Sequence, residues 1–309
     1  MKIIFFGSSE FAVPVLEALK DREEVSLVVT QPDRKKGRSL KKDSTPVKKL
    51  AGKIGIEVFQ PSDVNAKDSI ERLKRVGADV FIVVSFGQIL KKEVLDIPKI
   101  SLNAHASLLP KYRGAAPINW AIANSEKETG VTIIRMNEKM DEGDIILKET
   151  VSIGADEDAV TLSGKLSRKG GEALLRAVDL IKKGAAGFEK QIESDATFAP
   201  KLKKEDGLID WSWDAKKIYN RIRAFVPWPG CFTYWDKKVL KICGARPHAE
   251  SKTAKPGTVL EVTKDGILVS VGKGAIIVDE LQPESKRRMR AEEFIAGHKE
   301  LTPGTILSA

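Results

Sequence analysis

Cysteine is scarce in this chain: two occur among 309 residues, Cys231 and Cys243, in neither a CxxC pair nor a His/Cys cluster. Disulfide frameworks and structural zinc sites need several such ligands at close spacing, so neither is indicated, and both thiols read as reduced core side chains. Histidine is nearly as rare, with three. No GxxxxGK[ST] is present, and the first strand-to-helix turn, FFGSSEF, has the single Gly7 where a dinucleotide fingerprint needs three glycines. P-loop nucleotide binding and nicotinamide binding are therefore disfavoured. No apolar run approaches the roughly eighteen residues that span a bilayer. The apolar run in MKIIFFGSSEF is also too short for the core of a secretion signal, which leads to the expectation of a cytoplasmic protein with no membrane contact.

What is present describes a globular chain, 42% hydrophobic and 31% charged, without low-complexity tracts or internal repeats. Its length exceeds that at which single cores stop growing, so two domains are expected. The formal charge of +9 marks a basic surface that concentrates anionic partners such as phosphates, nucleic acid or acidic cofactors.

Short apolar β-rich runs alternate with helical spacing through the first half. Lys2–Phe6, Val25–Thr30, Glu57–Phe59, Val80–Ser85 and Ile100–Ala104 read as strands, and Phe11–Lys20, Thr45–Lys53 and Ala66–Val76 as helices. Alternating units of this kind build a mostly parallel sheet that collects ligands at the carboxyl ends of its strands. Val131–Met136 and Ile145–Ser152 bracket the polar turn MNEKMDEGD, and a long amphipathic helix runs from about Asp158 to Lys183. Ala185–Asp206 is charged and aperiodic and reads as a linker. Beyond it come one helix, Ala215–Ala224, and five short β-rich runs between Phe232 and Leu281, which suggest a small barrel or sandwich.

Asn103 and His105 stand two apart at the end of a buried strand, so their side chains share one side and can converge on a small group. An amide and an imidazole suit a developing oxyanion or a proton transfer, although an isolated Asn-x-His is more often a hydrogen-bonded core pair. Asp141, in the turn MDEGD, supplies a carboxylate that near His105 would orient the ring and favour its charged form. Ser107–Pro110 offers a rigid apolar edge for a flat heterocycle, with Arg113 as a cation at the rim. The stretch Asp33–Lys49, DRKKGRSLKKDSTPVKK, reads as a mobile basic loop, suited either to a phosphate backbone or to plain solvation. Trp211, Trp213, Trp228 and Trp235 read mainly as core, and Arg221 and Arg223 either as phosphate contacts or as packing residues.

Taken together, Asn103-Ala-His105-Ala-Ser-Leu-Leu-Pro-x-x-Arg-Gly-Ala-Ala-Pro, Glu128-Thr-Gly-Val-Thr-Ile and Met140-Asp141-Glu-Gly-Asp144 resemble the 10-formyltetrahydrofolate-dependent formyltransferase family. TQPDRKKGR and RAFVPWPG, Arg223 to Gly230, are similar to its tRNA-formylating members. The resemblance implies an α/β fold: a Rossmann-like, mostly parallel sheet formyltransferase domain at 1–189, a linker at 190–206, and a small OB-like β-barrel C-terminal domain at 207–309 that binds tRNA. It implies formyl transfer from 10-formyltetrahydrofolate, as cosubstrate and without a metal, to the α-amine of methionine on initiator methionyl-tRNA. By the same resemblance Asn103, His105 and Asp141 are catalytic, and Phe86, Gly87, Gln88, Ile89, Ser107, Leu108, Leu109 and Pro110 contact the folate. The resemblance also assigns tRNA contact to Arg38, Lys41 and Lys42, and a monomer is expected. The alternatives are formylation of an amino sugar nucleotide or other small amine, hydrolysis of the formyl donor, and a non-catalytic RNA-binding protein.

Overall fold

The structure is a computed structural model that describes residues 1–36, 41–249 and 254–308. Backbone contacts divide the chain into two units. The first gathers Met1–Pro117, Glu128–Ser152 and Leu162–Pro200; the second gathers Ile118–Lys127, Ile153–Thr161 and Lys201–Ala309.

The first unit is built on a seven-stranded sheet. In chain order its strands are β1 (Lys2–Gly7), β2 (Glu24–Val29), β5 (Val58–Phe59), β6 (Val80–Val84), β7 (Ile100–His105), β8 (Glu128–Arg135) and β9 (Asp144–Ser152); β3 (Arg34–Lys36) and β4 (Lys41–Asp43) form a separate pair. The spatial order is β5-β2-β1-β6-β7-β8-β9. Pairing is parallel from β5 through β7 and antiparallel from β7 to β9. The central strands are apolar throughout because helices cover both faces: all five residues of β6, VFIVV, are buried. Phe6 packs against Phe81 and Phe86 in one of the resulting cores.

Helices α1 (Ala12–Lys20), α2 (Pro46–Lys53), α3 (Lys67–Val76) and α4 (Lys92–Leu95) connect these strands, followed by α5 (Pro117–Ala123) and the 24-residue α6 (Ala159–Lys182). The start of α2 follows from Thr45-Pro46: the Thr45 hydroxyl accepts the Lys48 amide hydrogen, and proline occupies a position whose N–H has no partner within the helix. Strand order reverses about β1, with β2 on one side and β6 on the other, which is where open α/β sheets leave a crevice.

One expectation is corrected in this unit. The stretch read as a mobile basic loop holds an antiparallel strand pair, β3–β4, with Arg34 opposite Asp43, Lys35 opposite Lys42 and Lys36 opposite Lys41. Its base is anchored. Asp33 accepts from Lys48 Nζ (2.7 Å) and Gln60 Nε2 (2.8 Å), contacts that hold its carboxyl below the usual aspartate range. Two short strands built wholly of charged residues show neither helical spacing nor apolar alternation, so the sequence pattern concealed them.

The second unit carries β10 (Cys231–Trp235), β11 (Lys238–His248), β12 (Val259–Thr263), β13 (Gly266–Ser270), β14 (Ala275–Pro283) and β15 (Met289–Arg290), with α7 (Ala215–Ala224) and α8 (Ala291–Gly297). The sheet runs β10-β11-β14-β13-β12, antiparallel throughout, with β15 on β14. Its two edges are joined by the C-terminal segment: Ser308 bridges to Tyr234 of β10, and Ile306 bridges to Thr258 beside β12. Closure of both edges makes a small barrel and removes the exposed strand edges that invite aggregation.

Arg221 and Arg223 are packing residues here. Arg223 is 9% exposed and donates to Asn220 Oδ1 and to the Glu157 carbonyl; Arg221 lies over the Trp213 ring and donates to the Asp206 carbonyl. Trp211 is buried with its indole N–H on Thr233 Oγ1, whereas Trp228 is 52% exposed. The two cysteines are unbonded, and burial pushes the Cys231 thiol up to about 12.

Candidate active site

β7 ends in Asn103-Ala104-His105, with Asn103 opposite Val83 of β6 and His105 opposite Thr132 of β8. Alternation along the strand puts residues 103 and 105 on the same side. Asp141 reaches that side from the turn between β8 and β9. Its Oδ1 accepts from Asn103 Nδ2 at 3.3 Å and stands 3.5 Å from His105 Nδ1, while its Oδ2 accepts from the Gly114 N–H at 2.8 Å. The amide, imidazole and carboxylate, 38 residues apart at the extremes, therefore share one oxygen.

The ring is oriented by its far nitrogen. His105 Nε2 stands 2.9 Å from the Tyr112 carbonyl oxygen; a carbonyl only accepts, so Nε2 carries the hydrogen and Nδ1 is left to gain or lose a proton. At 3.5 Å from Asp141 Oδ1, Nδ1 lies beyond good hydrogen-bond range yet within the field of the carboxylate. His105 is 6% exposed and the Asp141 side chain 12%, so this contact is nearly dry.

The turn that carries Asp141 is tightly built. Asp141 has φ +56°, a left-handed conformation uncommon without glycine, and a Cβ at Gly143 would come within 1.9 Å of the Arg135 carbonyl oxygen. Gln191 Nε2 donates to the carbonyls of both Asp141 (2.7 Å) and Gly143 (2.8 Å).

Ser107–Pro110 is equally fixed. The Thr132 hydroxyl donates to the Ser107 carbonyl (2.7 Å) and accepts from the Leu109 N–H (3.0 Å), and Ser107 Oγ donates to the Lys111 carbonyl. Ser107 and Leu109 are fully buried; Leu108 and Pro110 are half-buried. After β6, Phe86 and Leu90 are buried anchors, while Gly87 and Ile89 are exposed. Gln88 turns away, accepting from the Val64 N–H and donating to the Pro61 carbonyl, so its side chain braces a neighbouring loop. Phe86 and Gly87 also line a cavity of about 570 Å³ at the carboxyl ends of β1, β2 and β6, together with Ser8, Ser9, Gln31 and Arg34.

Arg113 is not the rim cation the sequence suggested. It is 2% exposed, and its guanidinium donates to Gln191 Oε1 and to both carboxylate oxygens of Glu193. Gly114, Gln191 and Thr197 were missed as parts of the site; only the first lies within a recognisable motif. Arg38 lies outside the described residues, and Lys41 and Lys42 form the backbone of β4. Among the described residues no group of three or more His, Cys, Asp or Glu side chains is disposed to hold a metal ion, and no helix is long and apolar enough to cross a membrane.

Comparison with known proteins gives this geometry a family. Residues 1–178 match the formyl transferase domain model, and residues 201–299 match the formyl transferase C-terminal domain. The chain belongs to the formyl transferase family. It is 47% identical over 309 residues to the methionyl-tRNA formyltransferase of Geobacter sulfurreducens, covering 99% of this chain and 96% of that one. It is 44% identical over 310 residues to the protein of the same name from Caldanaerobacter subterraneus, covering 99% and 100%. Among solved structures the fold is shared with HypX from Aquifex aeolicus in complex with tetrahydrofolic acid (TM-score 0.68, 19% identity, 98% of this chain and 48% of that one). It is also shared with an N-formyltransferase from Helicobacter canadensis in complex with folinic acid and dTDP-3-aminofucose (TM-score 0.66, 21% identity, 92% and 99%). Both formyl transferase domains of the family are thus present, with the mixed, mostly parallel sheet in the first and the antiparallel barrel in the second.

Proposed function

We propose that this chain transfers the formyl group of 10-formyltetrahydrofolate to the α-amine of methionine on initiator methionyl-tRNA, in the cytoplasm. The observation that carries the reading is the convergence of Asn103 and His105 on a single carboxylate oxygen of Asp141, in a chain whose relatives across nearly its whole length are methionyl-tRNA formyltransferases.

The donor supplies an electrophilic formyl carbon and the tRNA supplies the nucleophile, so the protein needs no nucleophilic serine or cysteine. Its task is electrostatic and positional. Of the two amide hydrogens of Asn103, one is given to Asp141 and the second is available to the formyl oxygen, where negative charge develops as the amine adds. His105 presents Nδ1, because Nε2 is held by Tyr112, and in its protonated state gives the same oxygen a charge-assisted donor. Asp141 lies against both donors through one oxygen and can pass protons from the incoming amine toward the departing N10.

The residues present fit a folate. Exposed Gly87 and Ile89 offer bare backbone and an apolar face, and Ser107–Pro110 is pre-shaped by Thr132, so a flat reduced pterin would lie between Phe86–Ile89 and Ser107–Pro110. Arg38, Lys41 and Lys42 of the basic stretch take the acceptor end of the tRNA. Residues 1–189 form the catalytic domain, 190–206 the connection and 207–309 the tRNA-binding barrel, acting as a monomer.

The test is formyl transfer from 10-formyltetrahydrofolate to methionyl-tRNA, measured beside an amino sugar nucleotide and glycinamide ribonucleotide. Transfer to the tRNA substrate should dominate, and its binding should weaken steeply with salt as phosphate counterions compete. Preferential formylation of a small amine, or binding indifferent to salt, would overturn the reading.

A further inference from the structure

We propose that Gln191 is a positioning residue for formyl transfer, acting through Asp141, and that the strap 191–197 sets the geometry between Asp141 and His105. The proposal rests on the catalytic roles of Asp141 and His105 given above.

The Gln191 amide is fully engaged, and all its bonds serve one end. Nε2 donates to the carbonyls of Asp141 (2.7 Å) and Gly143 (2.8 Å), while Oε1 accepts from Arg113 Nε (3.1 Å). Arg113 is in turn locked, with Nη1 donating to both oxygens of Glu193 at 3.1 and 3.0 Å and standing 3.6 Å from Glu142 Oε1. One planar amide thus grips the Asp141 peptide from its carbonyl side. That is where grip is needed, because Asp141 holds a left-handed φ that an aspartate left to itself abandons readily.

The same strap reaches the histidine. Thr197 accepts the Arg113 N–H on its carbonyl (2.8 Å) and the Tyr112 N–H on Oγ1 (2.9 Å). Tyr112 also supplies the carbonyl that orients His105 Nε2. Six residues apart, Gln191 and Thr197 therefore hold the two partners whose separation defines the Asp141–His105 contact. A strap that only closed the fold would have no reason to end on the peptide of the catalytic carboxylate and on the peptide that orients the imidazole.

Gln191→Glu separates these roles. It keeps side-chain length and strengthens the pairing with Arg113, but replaces the two N–H donors with oxygen facing two carbonyls. Gln191→Met removes the donors without adding charge. In both variants kcat should fall roughly ten- to a hundredfold while both KM values stay within about threefold of the parent. In an Asp141→Asn background the same substitutions should change kcat by less than about threefold, since the residue through which they act is already disabled. With three histidines in the chain, side-chain nitrogen NMR resolves each ring. The His105 Nδ1 resonance should move in Gln191→Glu while those of His248 and His298 remain. Effects that multiply in the Asp141→Asn background, a kcat at parental level, or an unmoved His105 resonance would each overturn the proposal. Failure of the parent enzyme to formylate methionyl-tRNA would instead sink the functional reading, and the His105 resonance, which needs no substrate, would still decide this one.

Discussion

Replacing Thr132 by valine removes one oxygen from the molecule at almost constant volume. That oxygen is the sole described link between β8 and the backbone of the proposed folate wall, donating to the Ser107 carbonyl at 2.7 Å and accepting from the Leu109 N–H at 3.0 Å. Thr132, Ser107 and Leu109 are all 0% exposed, so water cannot take its place without opening the loop. Leaving a buried polar group without its partner costs about 1–3 kcal/mol. Two groups lose a partner here and the loop relaxes in part, so the expected destabilisation is about 2–4 kcal/mol. At ~2–4 °C per kcal/mol for a unit of this size, Tm should fall by ~4–16 °C. The loss should also appear locally: the Leu109 amide should exchange with solvent roughly 10- to 100-fold faster, and the KM for the formyl donor should rise more than that for tRNA. A Thr132→Val protein with parental Tm, parental Leu109 protection and unchanged donor KM would show that the hydroxyl does not hold this wall, and the reasoning would be wrong.

Gly114 should be equally intolerant, for a steric reason. Its φ is +119° and an added Cβ would come within 2.7 Å of the Ala199 carbonyl oxygen, so Gly114→Ala must displace the N–H that Asp141 Oδ2 accepts. The expected outcome is a cost of about 1–3 kcal/mol in thermal unfolding, with a fall in kcat larger than any rise in KM. In the second unit Tyr219 gives an alkaline signature. Burial first, and then its hydrogen bond to Asp156, pushes its hydroxyl up to about 12. A folded-state value above the unfolded one means stability fully present below pH ~10 and lost as pH rises toward ~12. Urea midpoints should therefore fall more for the parent than for Tyr219→Phe across that window, and parallel curves would contradict the assignment.

The distribution of what was legible in the sequence has a physical pattern. Strands β1 and β6 are short, nearly continuous apolar runs bounded by turn residues, and burial on both faces writes itself into such composition. A strand period of two set Asn103 and His105 on a common side in the sequence, and Asp141 was joined to them through the resemblance of MDEGD to the family's motif. The strap was invisible for the opposite reason. Residues 191–197 bind through an amide, a carboxylate, a hydroxyl and peptide groups, without strand periodicity or a full helical turn of apolar residues, so nothing in QIESDAT distinguishes it from a solvated linker. Arg113 misled because a cation beside glycine reads as surface, whereas its partners Gln191 and Glu193 lie nearly eighty residues downstream. The short α5 and α8, seven residues each, carry too few turns for a periodic signal.

The most direct test of the central claim is the single-turnover rate of formyl transfer to methionyl-tRNA in Asn103→Ala and His105→Ala, with tRNA binding measured on the same samples. If the amide and the imidazole both stabilise charge on the formyl oxygen, each variant should lose roughly 10²–10³ in the chemical step, about 2.7–4 kcal/mol of barrier, while tRNA affinity stays within about twofold of the parent. A chemical step at the parental rate in either variant would contradict the account.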